Sequence, residues 1–320
     1  MPRIFAVSML AFLVGCSASS PPVQAPAPAV LDDPAPVAVE PAVAATEPAP
    51  VVVPEAPPPP TYDLAADLAA RTRSFRANTG DKTRFETVEG VFLLVAPSGV
   101  LGGSAAVAKK ALVAYFNKRF ARRPTQAVAV VLFEDPKRYE AFCQVRYSEA
   151  CLSPYGFYNP VDRTVVMNAG PGIGTLTHEL VHPIVESDFP DAPIWINEGI
   201  ASLYEAFSFP HDGEIRGAKN FRHAGLVAAL RSKDERPHAS LPALFGMTDA
   251  TFRGDRESLN YASARYFCQW MDGQNKLWPF YQAWRDDFEH DRSGAKAFAK
   301  TMGKTPDELD EAWATWVRRL

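Results

Sequence analysis

Positive charge is scarce in this chain. Its 33 Lys and Arg are outnumbered by 37 Asp and Glu, and a formal net charge of -4 gives no electrostatic grip on nucleic acid or on an anionic lipid surface. The apolar run at the start, Ile4 to Gly15, is too short to cross a bilayer as a helix. Residues 17–60 hold no aromatic residue, no Lys and no Arg, yet they contain 14 of the 29 prolines. Such a segment cannot bury enough apolar surface to offset its ordering entropy. No repeat is visible. Histidine and cysteine are rare as well, six and four among 320 residues, so the spacing of each one carries information.

The N-terminus reads as an address. Arg3 precedes the apolar run, and Leu13-Val14-Gly15-Cys16 resembles the lipobox of bacterial lipoproteins. That resemblance implies a signal peptide over 1–15, cleavage before Cys16 and a lipid on its sulfur. It also implies a bacterial cell-envelope location, membrane-anchored through Cys16. Ser17 in place of Asp points, by resemblance to enterobacterial sorting, to the periplasmic face of the outer membrane. Residues 16–60 would then be a lipidated tether. At roughly 3.1 Å per residue in polyproline II, it would reach on the order of 100 Å.

Two of the six histidines stand in Thr177-His178-Glu179-Leu180-Val181-His182. On a helix, His178 and His182 stack on one face one turn apart, where two imidazoles can reach a single zinc ion. Glu179 projects beside that point, where a carboxylate can accept a proton from an attacking water. Leu176, Leu180 and Ile184 supply the apolar stripe that would bury such a helix. Sixteen residues beyond His182, Glu198 lies in Ile194-Trp195-Ile196-Asn197-Glu198-Gly199-Ile200-Ala201-Ser202, a second candidate helix. A carboxylate from there gives zinc a third protein ligand and leaves a fourth position open. Asp188, ten residues after His178, competes for the third position, but Val185 stands where a metzincin-like site needs a turning glycine.

The two stretches together resemble the gluzincins, the thermolysin- and aminopeptidase-N-like zinc peptidases, whose His-Glu-x-x-His helix is followed by a helix bearing Asn-Glu-Gly-x-Ala. The resemblance covers roughly residues 80–320 by order of elements. It implies one zinc per chain held by His178, His182 and Glu198, with Glu179 as general base. It also implies a downstream tyrosine donor, assigned to Tyr261 in Leu259-Asn260-Tyr261-Ala262-Ser263-Ala264. Asn197 is expected to orient backbone near the site, and Ser202, one turn after Glu198, to support a ligand.

The expected fold class is α+β and zincin-like. Residues 61–190 would form a small mixed sheet with the metal helix, and 191–320 an all-α part. A hairpin is expected over Arg84 to Ala96, a helix over Ser104 to Phe120 and a buried strand over Gln126 to Phe133. Cys151 to Pro160 reads as a turn-rich loop and Arg163 to Asn168 as a short strand, which the resemblance to zinc peptidases makes the edge strand along which substrate pairs. Pro183 should loosen the metal helix. Thr305 and Glu308 form the capping box of a last helix. Cys143 and Cys151, close in sequence and flanking a loop, are expected to be disulfide-bonded, and Cys268 to pack as a small apolar residue.

The functional expectation is a tethered zinc peptidase acting on a peptide or protein. A zinc-stabilised scaffold without catalysis and a zinc amidase acting on cell-wall peptides remain open beside it. Neither substrate nor oligomeric state is legible. The anchoring expectation is testable: a Cys16→Ser chain expressed in a bacterium should take up no lipid label and leave the membrane fraction. Unchanged labelling would remove the lipoprotein reading.

Overall fold

Strand alternation sets up two cores. The computed structural model describes residues 62–320 other than 100, 118 and 171, so the expected signal peptide, Cys16 and the tether lie outside the described residues. Strands β1 (Arg84–Val88) and β2 (Phe92–Ala96) form the expected hairpin. The chain reverses through Glu89 and Gly90 at left-handed φ of 52° and 74°, a conformation glycine takes without steric cost. With β3 (Val128–Phe133), β4 (Gly156–Asn159) and β5 (Thr164–Asn168) they make a mixed sheet in the order β1-β2-β3-β5-β4. The strands β2, β3 and β5 are parallel to one another, and β1 and β4 run antiparallel at the edges.

The three inner strands are buried along their whole length, which is why they read as continuous apolar runs. Leu93, Val95, Ala129, Val131 and Val166 face a core closed by Phe75 of α1 (Leu64–Thr79) and by Tyr139 and Phe142 of α3 (Pro136–Tyr147). Phe92, Leu94, Val130, Val165 and Met167 face the opposite core, which α2 (Gly103–Phe116) and the helices that follow complete. Helix α2 stops at Phe116, short of the expected Phe120.

One expectation is overturned. Residues 163–168 are not the edge strand: β5 lies between β3 and β4, and the edge is β4, inside the segment read as a loop. Four residues between Pro154 and Pro160 carry no periodic signal of their own. Pairing with β5 orders them, Gly156 opposite Met167 and Asn159 opposite Thr164. Gly156 takes a φ of 154°, and a Cβ there would lie 3.0 Å from the Val166 carbonyl oxygen, so a side chain at this position would be strained. The Cys143–Cys151 disulfide ties α3 to the approach to β4, and Cys268 is free and buried.

The metal-motif helix is built of α4 (Gly174–Glu179) and α5 (Val181–Asp188). They join at Leu180, which keeps helical dihedrals of -67° and -21°. Pro183 has no N–H to offer the Glu179 carbonyl, so the loosening falls one turn before the proline. Next come α6 (Ile194–Leu203), a two-residue hairpin of β6 (Phe207–Ser208) and β7 (Arg216–Gly217), and α7 (Arg222–Arg231). The short α8 (Leu241–Phe245) and α9 (Asp249–Phe252) precede α10 (Glu257–Asp272), α11 (Leu277–Asp286), α12 (Ala295–Met302) and α13 (Pro306–Arg319). The C-terminal part is therefore helical apart from that hairpin. The Thr305–Glu308 capping box is formed.

The helical part packs on aromatic rings: Trp195 of α6 lies 5.2 to 5.6 Å, centroid to centroid, from Trp284, Phe245 and Phe267. Beside this core Asp188 is fully buried at the end of α5. Its carboxylate accepts two hydrogen bonds from Arg285 Nη1, at 2.9 and 3.0 Å, and one from the Arg122 backbone N–H at 2.6 Å. Removing one partner of a buried ion pair strands the other charge, at about 3–5 kcal/mol. Asp188→Ala should therefore lower the unfolding free energy by about that much in urea titrations. A loss below about 1 kcal/mol would show that Arg285 finds other partners.

Candidate metal centre

Helix α4 is fixed before it offers any ligand. Gly174 lies so close to the chain after α6 that a Cβ there would sit 2.2 Å from the Glu205 carbonyl oxygen. The Thr177 hydroxyl donates to the Tyr204 carbonyl at 2.6 Å, and Tyr115 donates to the Thr177 carbonyl at 2.8 Å. Leu176, Leu180 and Ile184 are fully buried against the core, as the apolar stripe requires. The opposite face of the helix carries the chemistry.

There His178 and His182 stand with ring centroids 5.0 Å apart. Glu198 comes from α6, and one donor atom from each of the three residues lies within 4.8 Å of the others. His178 and Glu198 are buried, and His182 is partly buried. Two donors 2.0–2.1 Å from one tetrahedral ion stand about 3.4 Å apart. His178 Nε2 and Glu198 Oε2 are 3.3 Å apart, and that Oε2, though buried, has no hydrogen-bond partner among the described residues. Two imidazoles and a carboxylate with an orphaned buried oxygen fit a metal ion, and these three residues could hold one. Asp188 is engaged elsewhere.

His182 and Glu198 each have a neighbour that orients them, whereas His178 Nδ1 is buried without a hydrogen bond among the described residues. Asn197 Oδ1 lies 2.9 Å from His182 Nδ1; an amide oxygen only accepts, so in the neutral ring Nδ1 carries the proton and Nε2 keeps its lone pair. Asn197 thus acts on a ligand side chain rather than on backbone. Glu205 Oε1 stands 3.6 Å from His178 Nδ1. Arg222 Nε and Nη2 and Asn220 Nδ2 hold that carboxylate in turn at 2.8 to 3.1 Å. Arg253 Nη2 donates to Glu198 Oε1 at 2.7 Å. Ser202 does not support a ligand, since its buried hydroxyl makes no hydrogen bond among the described residues.

Tyr261 is brought to the same place. Its hydroxyl accepts from Arg253 Nη1 at 2.7 Å, and the Arg222 guanidinium lies 4.7 Å from its ring centroid. Burial, with the Glu198 charge beside it, pushes the phenol pKa up against the pull of Arg253, so the hydroxyl keeps its proton. Tyr266, by contrast, is core, its hydroxyl bonded to Asn220. Glu179, Tyr261 and the three candidate ligands line one cleft of about 550 Å³, whose rim includes Gly156 to Tyr158 of β4.

Glu205, Arg222 and Arg253 had no signal in the sequence. Glu205 lies seven residues past Glu198, a spacing that would share its face on a longer helix, but α6 ends at Leu203. The arginines sit outside any motif.

Burial would lower the His178 pKa, but contact with Glu198 and the charges of Glu179, Glu198 and Glu205 outweigh it and raise it to about 9. Burial would likewise raise Glu198, yet the His178 contact and the charges of His182, His178 and Arg253 hold it at about 2. The raised histidine stabilises the fold fully below about pH 6.5, and that contribution is lost as pH rises through about 9. An entering metal ion displaces the same proton, so its affinity should grow with pH over that window.

No protein-family model and no curated protein matches this chain. What the geometry defines is a His–His–Glu centre able to hold a metal ion. Glu198→Ala should weaken metal binding far more than Asp188→Ala, as judged by metal-to-protein ratios after dialysis. The reverse ranking would move the third ligand to Asp188.

Proposed function

We propose that this chain is a zinc-dependent peptidase of zincin-like fold and gluzincin type, tethered at a bacterial cell envelope. The carrying observation is the convergence in one cleft of His178, His182 and Glu198 with Glu179, Tyr261 and a sheet edge. Zinc is the ion best suited to two imidazoles and one carboxylate. When bound, it would polarise a scissile carbonyl and acidify water beside it.

The chain's own groups would do the rest. Among the described residues no strand pairs with the outer edge of β4, which could take an extended peptide by backbone pairing. Glu179, whose Oε2 is 3.8 Å from His182 Nε2, would accept the proton of the attacking water and pass it to the leaving amine. Tyr261 would donate a hydrogen bond from its hydroxyl to the oxygen that gains charge as the carbonyl is attacked. Asn197 would keep the His182 imidazole aimed throughout, with the Glu205 carboxylate facing His178 Nδ1.

Turnover and metal content together test this reading. Wild type should bind one zinc and cleave members of an unbiased peptide mixture. Glu179→Gln should keep its zinc and lose about 10²–10⁴-fold in kcat. Full activity in that variant would end the mechanism. A zinc-loaded wild type that cleaves nothing would favour the scaffold alternative.

A further inference from the structure

Arg253, just beyond α9, reaches three groups at once. Nη2 donates to Glu198 Oε1, and Nη1 donates to Tyr261 Oη and to Glu257 Oε1, each at 2.7 Å. The guanidinium carbon also lies 5.6 and 5.5 Å from the ring centroids of Phe252 and Tyr261. The base of this arm is pinned to the helix it serves. Asn260, the residue before Tyr261 on α10, donates from Nδ2 to the Thr251 and Phe252 carbonyls at 3.0 Å each. Arg253 and Tyr261 therefore stand on one clamp.

Two consequences follow from donor counting. Arg253 hydrogen-bonds Oε1 of Glu198, while Oε2 has no hydrogen bond among the described residues and is the oxygen 3.3 Å from His178 Nε2. The Tyr261 oxygen accepts from Arg253, so its own proton must point away from the guanidinium. The Glu257 arm is half-exposed at both ends, and such pairs add little stability. Its value is to fix the direction of the fork.

We propose that Arg253 is a positioning residue that couples the two sides of the site, restricting Glu198 to ligation through one oxygen and turning the Tyr261 hydroxyl proton into the cleft. The tyrosine half rests on the peptidase reading above; the ligand half requires only a metal ion at His178, His182 and Glu198. Lysine cannot replace the fork, because its ammonium is a point charge without two rigidly spaced nitrogens.

The test uses the full chain loaded with zinc, or with cobalt as a spectroscopic probe, in wild type, Arg253→Ala, Arg253→Lys, Tyr261→Phe and the Arg253→Ala/Tyr261→Phe double variant. Loss of zinc to a chelator should be about 10–100-fold faster in Arg253→Ala, with a changed visible cobalt spectrum. Arg253→Lys, which keeps a charge beside Glu198, should regain most of the metal retention but not kcat. Tyr261→Phe should lower kcat in wild type and add nothing in the Arg253→Ala background, the non-additivity of groups acting as a unit. Unchanged zinc loss and cobalt spectrum in Arg253→Ala would overturn the ligand half, and multiplying kcat losses the tyrosine half. Should Arg253→Ala not fold, Arg253→Gln, which carries no charge, takes its place in both readouts, and full kcat in Arg253→Lys overturns the coupling. A wild type without metal would end this inference and the peptidase reading together. A metal-loaded but inactive wild type would end the tyrosine half alone, leaving zinc loss and the cobalt spectrum to judge the rest.

Discussion

Helix α6 lies almost in van der Waals contact with the backbone of α10, and the site depends on that approach. A Cβ on Gly199 would lie 3.0 Å from both the Ala264 carbonyl oxygen and the Cys268 sulfur, so at this point no side chain larger than hydrogen fits without a shift. Successive helix positions turn by about 100°. Three consecutive residues of α6 therefore face three partners: Asn197 meets His182, Glu198 meets His178 and Arg253, and Gly199 meets α10. Were the helices further apart, Glu198 and Tyr261 would not share a cleft.

Around this contact the polar groups close into a ring. His178 touches Glu205, Glu205 pairs with Arg222, and Arg222 lies over the Tyr261 ring. Tyr261 accepts from Arg253, Arg253 holds Glu198, and Glu198 returns to His178. Two arginines thus offset carboxylates crowded around one buried imidazole, which would otherwise be costly to desolvate together. The arrangement is preorganised, since each member is held from two sides by elements that are themselves packed. Trp195, three residues before Glu198, anchors the same helix in the aromatic core.

The sheet contributes position rather than chemistry. Its inner strands are covered on both faces, so only an edge can meet a partner, and β4 is the edge that borders the cleft. The disulfide at Cys151 and the Asn168 Nδ2 bond to the Pro154 carbonyl at 2.9 Å hold the chain leading into that edge.

By itself the sequence determined what depends on near neighbours. His178, Glu179 and His182 share a face because helical spacing puts them there, and Leu176, Leu180 and Ile184 bury the opposite face. The hairpin turn at Gly90 and the cap at Thr305 are equally local, set by a few residues of known preference. Tertiary structure decided what depends on distant partners. The Gly156 strand exists only because Met167 and its neighbours pair with it, and Asp188 is a structural carboxylate only because α11 brings Arg285 to it. Glu205, Arg222 and Arg253 acquire roles when segments up to 75 residues beyond His178 fold back on it. A side chain reaching across such a gap leaves no periodicity in the chain, because its partner is chosen by packing and not by spacing.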